Sequence, residues 1–167
     1  MNRKTLAALA IAGYIGTIVL ANSATATFGL VPIGFGLAVT AGTFAAGAAL
    51  VLRDAVQVEA GKWMVLAAIV IGCAVSYIVS DPFIAVASAI AFLASELVDF
   101  AVFTPMRGRN LAAAVLVSSI VSAPVDTVLF LHISGFGVTW QAVLGQFIVK
   151  TAMAGVVALW LARKAGR

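Results

Sequence analysis

The chain has 167 residues, 63% of them hydrophobic and only 10% charged, with a mean hydropathy of +1.17. That balance excludes a soluble globular domain and requires a bilayer as solvent. The formal charge of +4 suggests a nucleic-acid partner only until the Lys and Arg residues are located: nearly all flank apolar runs, so no nucleic-acid surface is expected.

The expected fold is all-α, a polytopic membrane protein with six transmembrane helices at about 5–21, 33–52, 63–79, 82–103, 111–133 and 140–161, in a single transporter domain spanning 1–167. Arg3-Lys4 precede the first run, Thr5–Ala21, which with Ala24-Thr25-Ala26 imitates a signal peptide; the spanning runs that follow argue instead for a retained helix. Asn22 sits at its far end. A short uncharged connection containing Pro32 leads to the second run, Ile33–Leu52, dense in Ala41, Gly42, Ala45, Ala46 and Ala49, which permits close helix approach. Arg53-Asp54, Glu59 and Lys62 read as a water-facing loop. The third run, Trp63–Val79, ends at Ser80-Asp81-Pro82, and Pro82 suits the first turn of the fourth, Pro82–Phe103. Thr104–Asn110 is a basic loop. The fifth run is Leu111–Ile133, and a Gly-containing turn leads to the sixth, Trp140–Leu161.

Six crossings with an inside N-terminus place both termini in the cytoplasm. Inner segments then collect Arg3, Lys4, Arg53, Lys62, Arg107, Arg109, Arg163, Lys164 and Arg167, and outer loops collect no Lys or Arg. Such a split follows the positive-inside rule. Trp63, Trp140 and Trp160 fall near the expected interfaces.

Buried polar residues mark three runs. In the fourth, Ser88, Ala91, Phe92, Ser95, Glu96, Asp99 and Phe103 share one helix face, and intramembrane carboxylates usually line a substrate or ion path. In the fifth, Ser118, Ser119, Ser122 and Asp126 share a wedge beside Pro124. In the sixth, Gln146 and Lys150 are four apart on one face. Counting 1.5 Å per residue from the outer ends puts Asp126 roughly 10 Å deep, Lys150 roughly 15 Å, Glu96 roughly 21 Å and Asp99 roughly 25 Å, so Lys150 is within reach of either acidic level. Three acids against one base leave a surplus of carboxylates. Cys73 has no partner for a disulfide, and His132 stands alone, so no metal site is expected. The chain has no Walker-type loop, nucleophile elbow, CxxC or HExxH, so neither an enzyme nor a cofactor is expected.

These residues carry a resemblance. Ala21-Asn22 with Val31-Pro32-Ile33-Gly34, then Asp54, Glu59 and Gly61, then Ser88…Phe92…Ser95-Glu96-Leu97…Asp99…Phe103, then Ser118-Ser119…Ser122…Asp126-Thr127…Phe130, and finally Gly145-Gln146…Lys150 together resemble the queuosine-precursor transporters. This small six-helix group is also labelled VUT, for vitamin-uptake-like. The resemblance implies a plasma (inner) membrane importer of a 7-deazaguanine base such as preQ0 or preQ1, a purine-like small molecule salvaged for tRNA modification. It implies substrate contacts from Asn22, Ser95, Glu96, Asp99, Ser119, Ser122, Asp126, Gln146 and Lys150, with Asp54 and Glu59 at the cytoplasmic mouth. Phe92, Phe100, Phe103, Tyr77 and Phe130 are candidate stacking platforms. Arg53 ahead of Asp54, and Glu96 beside Ser95, depart from the family pattern and bear on ligand preference. Two other readings stand beside this one. The first is the substrate-binding subunit of an ATP-driven vitamin importer, docked through Ala8 and Ala12; the second is a non-transporting membrane scaffold. Self-association into a homo-oligomer is left open.

Overall fold

The structure is a computed structural model, and it describes residues 2–165. Arg167, one of the basic residues assigned to the inner side, lies outside the described residues. Six helices and one hairpin follow in the order α1 (Arg3–Phe28), β1 (Leu30–Gly34), β2 (Leu37–Thr40), α2 (Thr43–Ala60), α3 (Lys62–Val79), α4 (Pro82–Met106), α5 (Leu111–Ile133) and α6 (Trp140–Ala165).

Local chemistry sets most of these limits. The Asp81 carboxylate accepts a 2.8 Å bond from the Ile84 amide with Pro82 in the first turn, and Asn110 accepts one of 2.9 Å from Ala113. Both are side-chain N-caps that satisfy otherwise orphaned amides. Helix α5 has the limits expected for the fifth run, and it continues through Pro124. Three other helices overrun their expected ends: α1 continues to Phe28 and takes Asn22 into its body, α4 continues through Pro105 to Met106, and α6 reaches Ala165.

The second run requires a larger correction. Ile33–Leu52 is not one helix but an antiparallel hairpin followed by the start of α2. The turn at Phe35-Gly36 has positive φ at both residues, 53° and 73°. That is the geometry of a two-residue type I′ turn, whose twist matches a hairpin. The expected all-α class therefore holds for the bundle and fails at this hairpin. The expected loop at Arg53-Asp54 is overturned as well, because α2 runs on to Ala60 and buries both side chains.

Two glycines seat the hairpin and α2. A Cβ on Gly42 would collide with the Ala21 carbonyl of α1, and the Gly42 amide donates to Thr25 Oγ1 at 3.1 Å. A Cβ on Gly145 would collide with the Ala38 carbonyl, so α6 approaches β2 with backbone against backbone.

Helices α1, α3, α4, α5 and α6 are long and apolar enough to cross a membrane. Helix α2 carries Arg53, Asp54 and Glu59 within 18 residues and lies against α1, α3 and α6. Leu20, Ile78, Leu97 and Val156 are all more than half exposed, whereas Ala85, Ala87, Ala91, Ala114, Ala123 and Ala154 are buried. Small residues between helices and large apolar ones facing outward are the pattern of a bundle solvated by lipid. Trp63 and Trp140 are exposed at helix starts, and Trp160 is exposed near the end of α6. The chain is a multi-pass membrane protein.

Candidate functional site

The interior polar groups separate into two levels. Lys4, Lys62, Arg107, Arg109 and Arg163 gather where α1, α3 and α5 begin and α2, α4 and α6 end; this is the basic end of the bundle. The hairpin lies at the other end.

Nearer the hairpin, Lys150 Nζ donates to Asp126 Oδ2 at 2.6 Å, to Thr127 Oγ1 at 2.9 Å and to Gln146 Oε1 at 3.3 Å. An ammonium group has three N–H donors, so all are used. Of the two acidic levels within its expected reach, the lysine takes Asp126. Because Gln146 spends its oxygen on the lysine, its amide nitrogen points elsewhere, and that buried Nε2 has no hydrogen-bond partner. Asn22 Nδ2, on α1, is buried and unpartnered too. Both residues, with Asp126 and Lys150, line a cavity closed by Ser88, Phe92 and Phe130. Its volume is about 20 Å³, room for a single water.

Nearer the basic end, Arg53 stands among three carboxylates. Its Nη2 meets Asp99 Oδ1 at 2.6 Å and Asp54 Oδ1 at 3.0 Å, and its Nη1 meets Glu96 Oε2 at 3.4 Å. Nε and Nη2 both donate to Asp54 Oδ1. The Asp99 contact is close without hydrogen-bond alignment. The count of three acids and one base therefore becomes four and two, with Asp54 and Arg53 added to the interior.

The remaining expected residues are distributed as follows. Ser95 Oγ is buried and donates to the Phe92 carbonyl of its own helix at 3.1 Å. Ser119 and Ser122 are fully buried on α5 with unpartnered hydroxyls, and neither lines the cavity. Glu59 is half-buried near the end of α2 and lines a second cavity, of about 360 Å³, together with Asp54. Of the aromatic candidates, Phe92 and Phe130 reach the Asp126 cavity. Phe103 packs on Ala114 and Val115, and Tyr77 is exposed. A groove of about 990 Å³ between α5 and α6 is mostly apolar and shares no residue with the Asp126 cavity.

Sequence reasoning gave no interior role to Arg53, Thr127 or the cavity threonines Thr25, Thr40 and Thr43. Arg53 had a usable signal: once the hairpin is recognised, only a short apolar stretch remains before it, too short for a helix that reaches from Thr43 to the basic end.

Residues 29–163 match the family model described as "Putative vitamin uptake transporter". The chain belongs to this transporter family. No curated relative and no solved structure matches it. Membership makes the vitamin-uptake-type transporter a carrier of a small molecule through a lipid bilayer, and it accounts for polar side chains that a purely structural bundle has no reason to bury.

Proposed function

We propose that this transporter imports a queuosine precursor or related 7-deazaguanine base, preQ0 or preQ1, across the plasma membrane as one transmembrane unit with both termini inside. The observation that carries the reading is the pair of buried, unpartnered amide donors, Asn22 Nδ2 and Gln146 Nε2, in a cavity also lined by Asp126, Phe92 and Phe130. A 7-deazaguanine offers the complementary set. Its N1–H and exocyclic amine suit a carboxylate, its carbonyl and ring nitrogen accept from amides, and its flat face suits an aromatic ring. A buried donor without an acceptor is costly, so a ligand that supplies acceptors gains what the empty cavity lacks.

The 20 Å³ cavity is far below the roughly 300 Å³ at which small-molecule pockets begin, so α1 and α2 must part from α4–α6 to admit a base. Direct recognition then falls to Asn22, Asp126, Gln146 and Lys150. Glu96 and Asp99, tied to Arg53 with Asp54, act from the second level, and Ser95, Ser119 and Ser122 support the helices that carry them.

Calorimetric titration of preQ0, preQ1 and guanine into purified, monodisperse protein tests this. Asp126→Asn keeps the shape but replaces an acceptor oxygen with an amide that turns a donor toward the donor edge of the base. A bond to a charged group is worth roughly 1.5–3 kcal/mol, so affinity falls about ten- to a hundredfold. Asn22→Ala and Gln146→Leu also weaken binding. Unchanged affinity in all three folded variants refutes the assignment. A second reading, the substrate-binding subunit of an ATP-driven importer, is favoured by the exposure of Ala8 and Ala12 on α1. Uptake that needs a second gene product and ATP would select it.

A further inference from the structure

Arg53, Asp54, Glu96 and Asp99 form a closed ionic cluster in which no side chain is more than 4% exposed. One guanidinium against three carboxylates leaves two negative charges without a counter-charge when all are ionised. The surroundings supply none. Tyr14 of α1 and Cys73 of α3, buried in the neighbouring core, are a phenol and a thiol and carry no positive charge in either protonation state. Lys150, the other buried base among the described residues, is committed to Asp126. Arg107 at the end of α4 is exposed and donates to the Gln57 carbonyl. Among the described residues no three His, Cys, Asp or Glu side chains are placed to hold a metal ion.

The cluster is also short of donors. Asp54 Oδ2, Glu96 Oε1 and Asp99 Oδ2 are buried acceptors with no hydrogen bond, and Arg53 Nη1 is a buried donor with none. A proton on one carboxylate answers both deficits: it removes a charge and turns an acceptor into an O–H donor for its neighbour. Asp54 forms part of the wall of the 360 Å³ cavity at the basic end, where Leu6, Glu59 and Trp160 also contribute.

The same helices hold both polar levels. On α4, Ser88 and Phe92 wall the Asp126 cavity, and Glu96 lies one turn beyond Phe92. On α2, Thr43 and Ala46 wall that cavity, and Arg53 lies two turns beyond Ala46. Parting α2 from α4 to admit a ligand therefore pulls Arg53 away from Glu96 and Asp99. We propose that the Arg53 cluster is a proton-binding site, loaded and unloaded through the Asp54 cavity, and that it couples substrate movement to proton movement. The proton passes between water and a carboxylate oxygen, and no bond of the substrate changes. The coupling half rests on the transport reading above; the proton site does not.

Infrared spectroscopy of the purified full chain in lipid at neutral pH tests the site. A C=O band of a protonated carboxyl, shifted in D2O, is expected in the parent protein and is lost in one of the folded variants Asp54→Asn, Glu96→Gln or Asp99→Asn. Absence of the band in the parent, or its persistence in all three variants, overturns the site. Proteoliposomes of the parent protein test the coupling without any variant. An inward proton gradient should raise initial uptake of labelled preQ0 or preQ1 at least tenfold, and a protonophore should abolish the gain. Uptake indifferent to both overturns the coupling. If neither base nor guanine enters while the band is present, the substrate reading fails and the proton site stands.

Discussion

Lys150→Met isolates the energetics of the level nearer the hairpin. The substitution keeps the length of the side chain and removes the 2.6 Å contact to Asp126 Oδ2, together with the bonds to Thr127 and Gln146. Asp126 is only 3% exposed, so its charge is left without water or counter-ion. Removing one partner of a buried pair costs about 3–5 kcal/mol, and for a chain of this size each kcal/mol moves the melting temperature by about 2–4 °C. The expected drop is therefore about 6–20 °C. The single cysteine, Cys73, is buried, so a thiol-reactive dye reports unfolding of detergent-solubilised protein directly. Adding Asp126→Asn removes the stranded charge and should recover most of the loss. Adding Glu96→Gln should recover none, because Glu96 belongs to Arg53. A Lys150→Met/Asp126→Asn protein no more stable than Lys150→Met, or equal rescue by Glu96→Gln, refutes the pairing.

Three further outcomes are expected. Reporter fusions in the 60–62 and 107–110 connections should read cytoplasmic and fusions near Phe35 and Gly137 external; the opposite result for the 60–62 connection would show that α2 does not cross. Phe35→Asn places a residue tolerant of positive φ in the hairpin turn and should raise the unfolding free energy by about 1 kcal/mol, and an unchanged melting temperature would contradict strain at that position. Gly145→Ala should cost about 1–3 kcal/mol through its collision with the Ala38 carbonyl, whereas Gly155→Ala, with nothing nearer than Leu116 Cδ1 at 4.0 Å, should be neutral or stabilising by up to about 1 kcal/mol; equal effects would count against backbone contact between α6 and β2.

How far the sequence could be read depended on the range of the interactions involved. Helix α5 is delimited by its own residues, Asn110 as cap and Gly135 beyond its end, and its limits were legible. The shared face of Ser88, Phe92, Ser95, Glu96 and Asp99 followed from helical periodicity alone, and all five are buried. The hairpin was hidden because hydropathy averages over Leu30–Thr40 as smoothly as over a helix; only Gly34-Phe35-Gly36 broke the pattern, and backbone dihedrals are invisible to hydropathy. Arg53 was misread for a related reason. A charge after an apolar run looks like a loop unless its counter-charges are known, and Glu96 and Asp99 lie more than forty positions away in the chain. The partner of Lys150 was undecidable between two acidic levels until packing fixed which helix face met which.

The tightness of the cavity beside Asp126 has a consequence for how any binding constant should be read. A protein whose resting form excludes its ligand binds only through the fraction of molecules that have opened. Its apparent dissociation constant is the intrinsic one divided by that fraction, so an open form populated at about 1% weakens the measured affinity about a hundredfold. Micromolar binding would then be compatible with nanomolar complementarity between base and side chains. A substitution at the Gly145 contact with β2, outside the cavity lining, would tighten binding by loosening the closed state. With the ligand in the Asp126 cavity, as proposed, affinity would measure the helix packing as much as the chemistry of Asn22, Asp126 and Gln146.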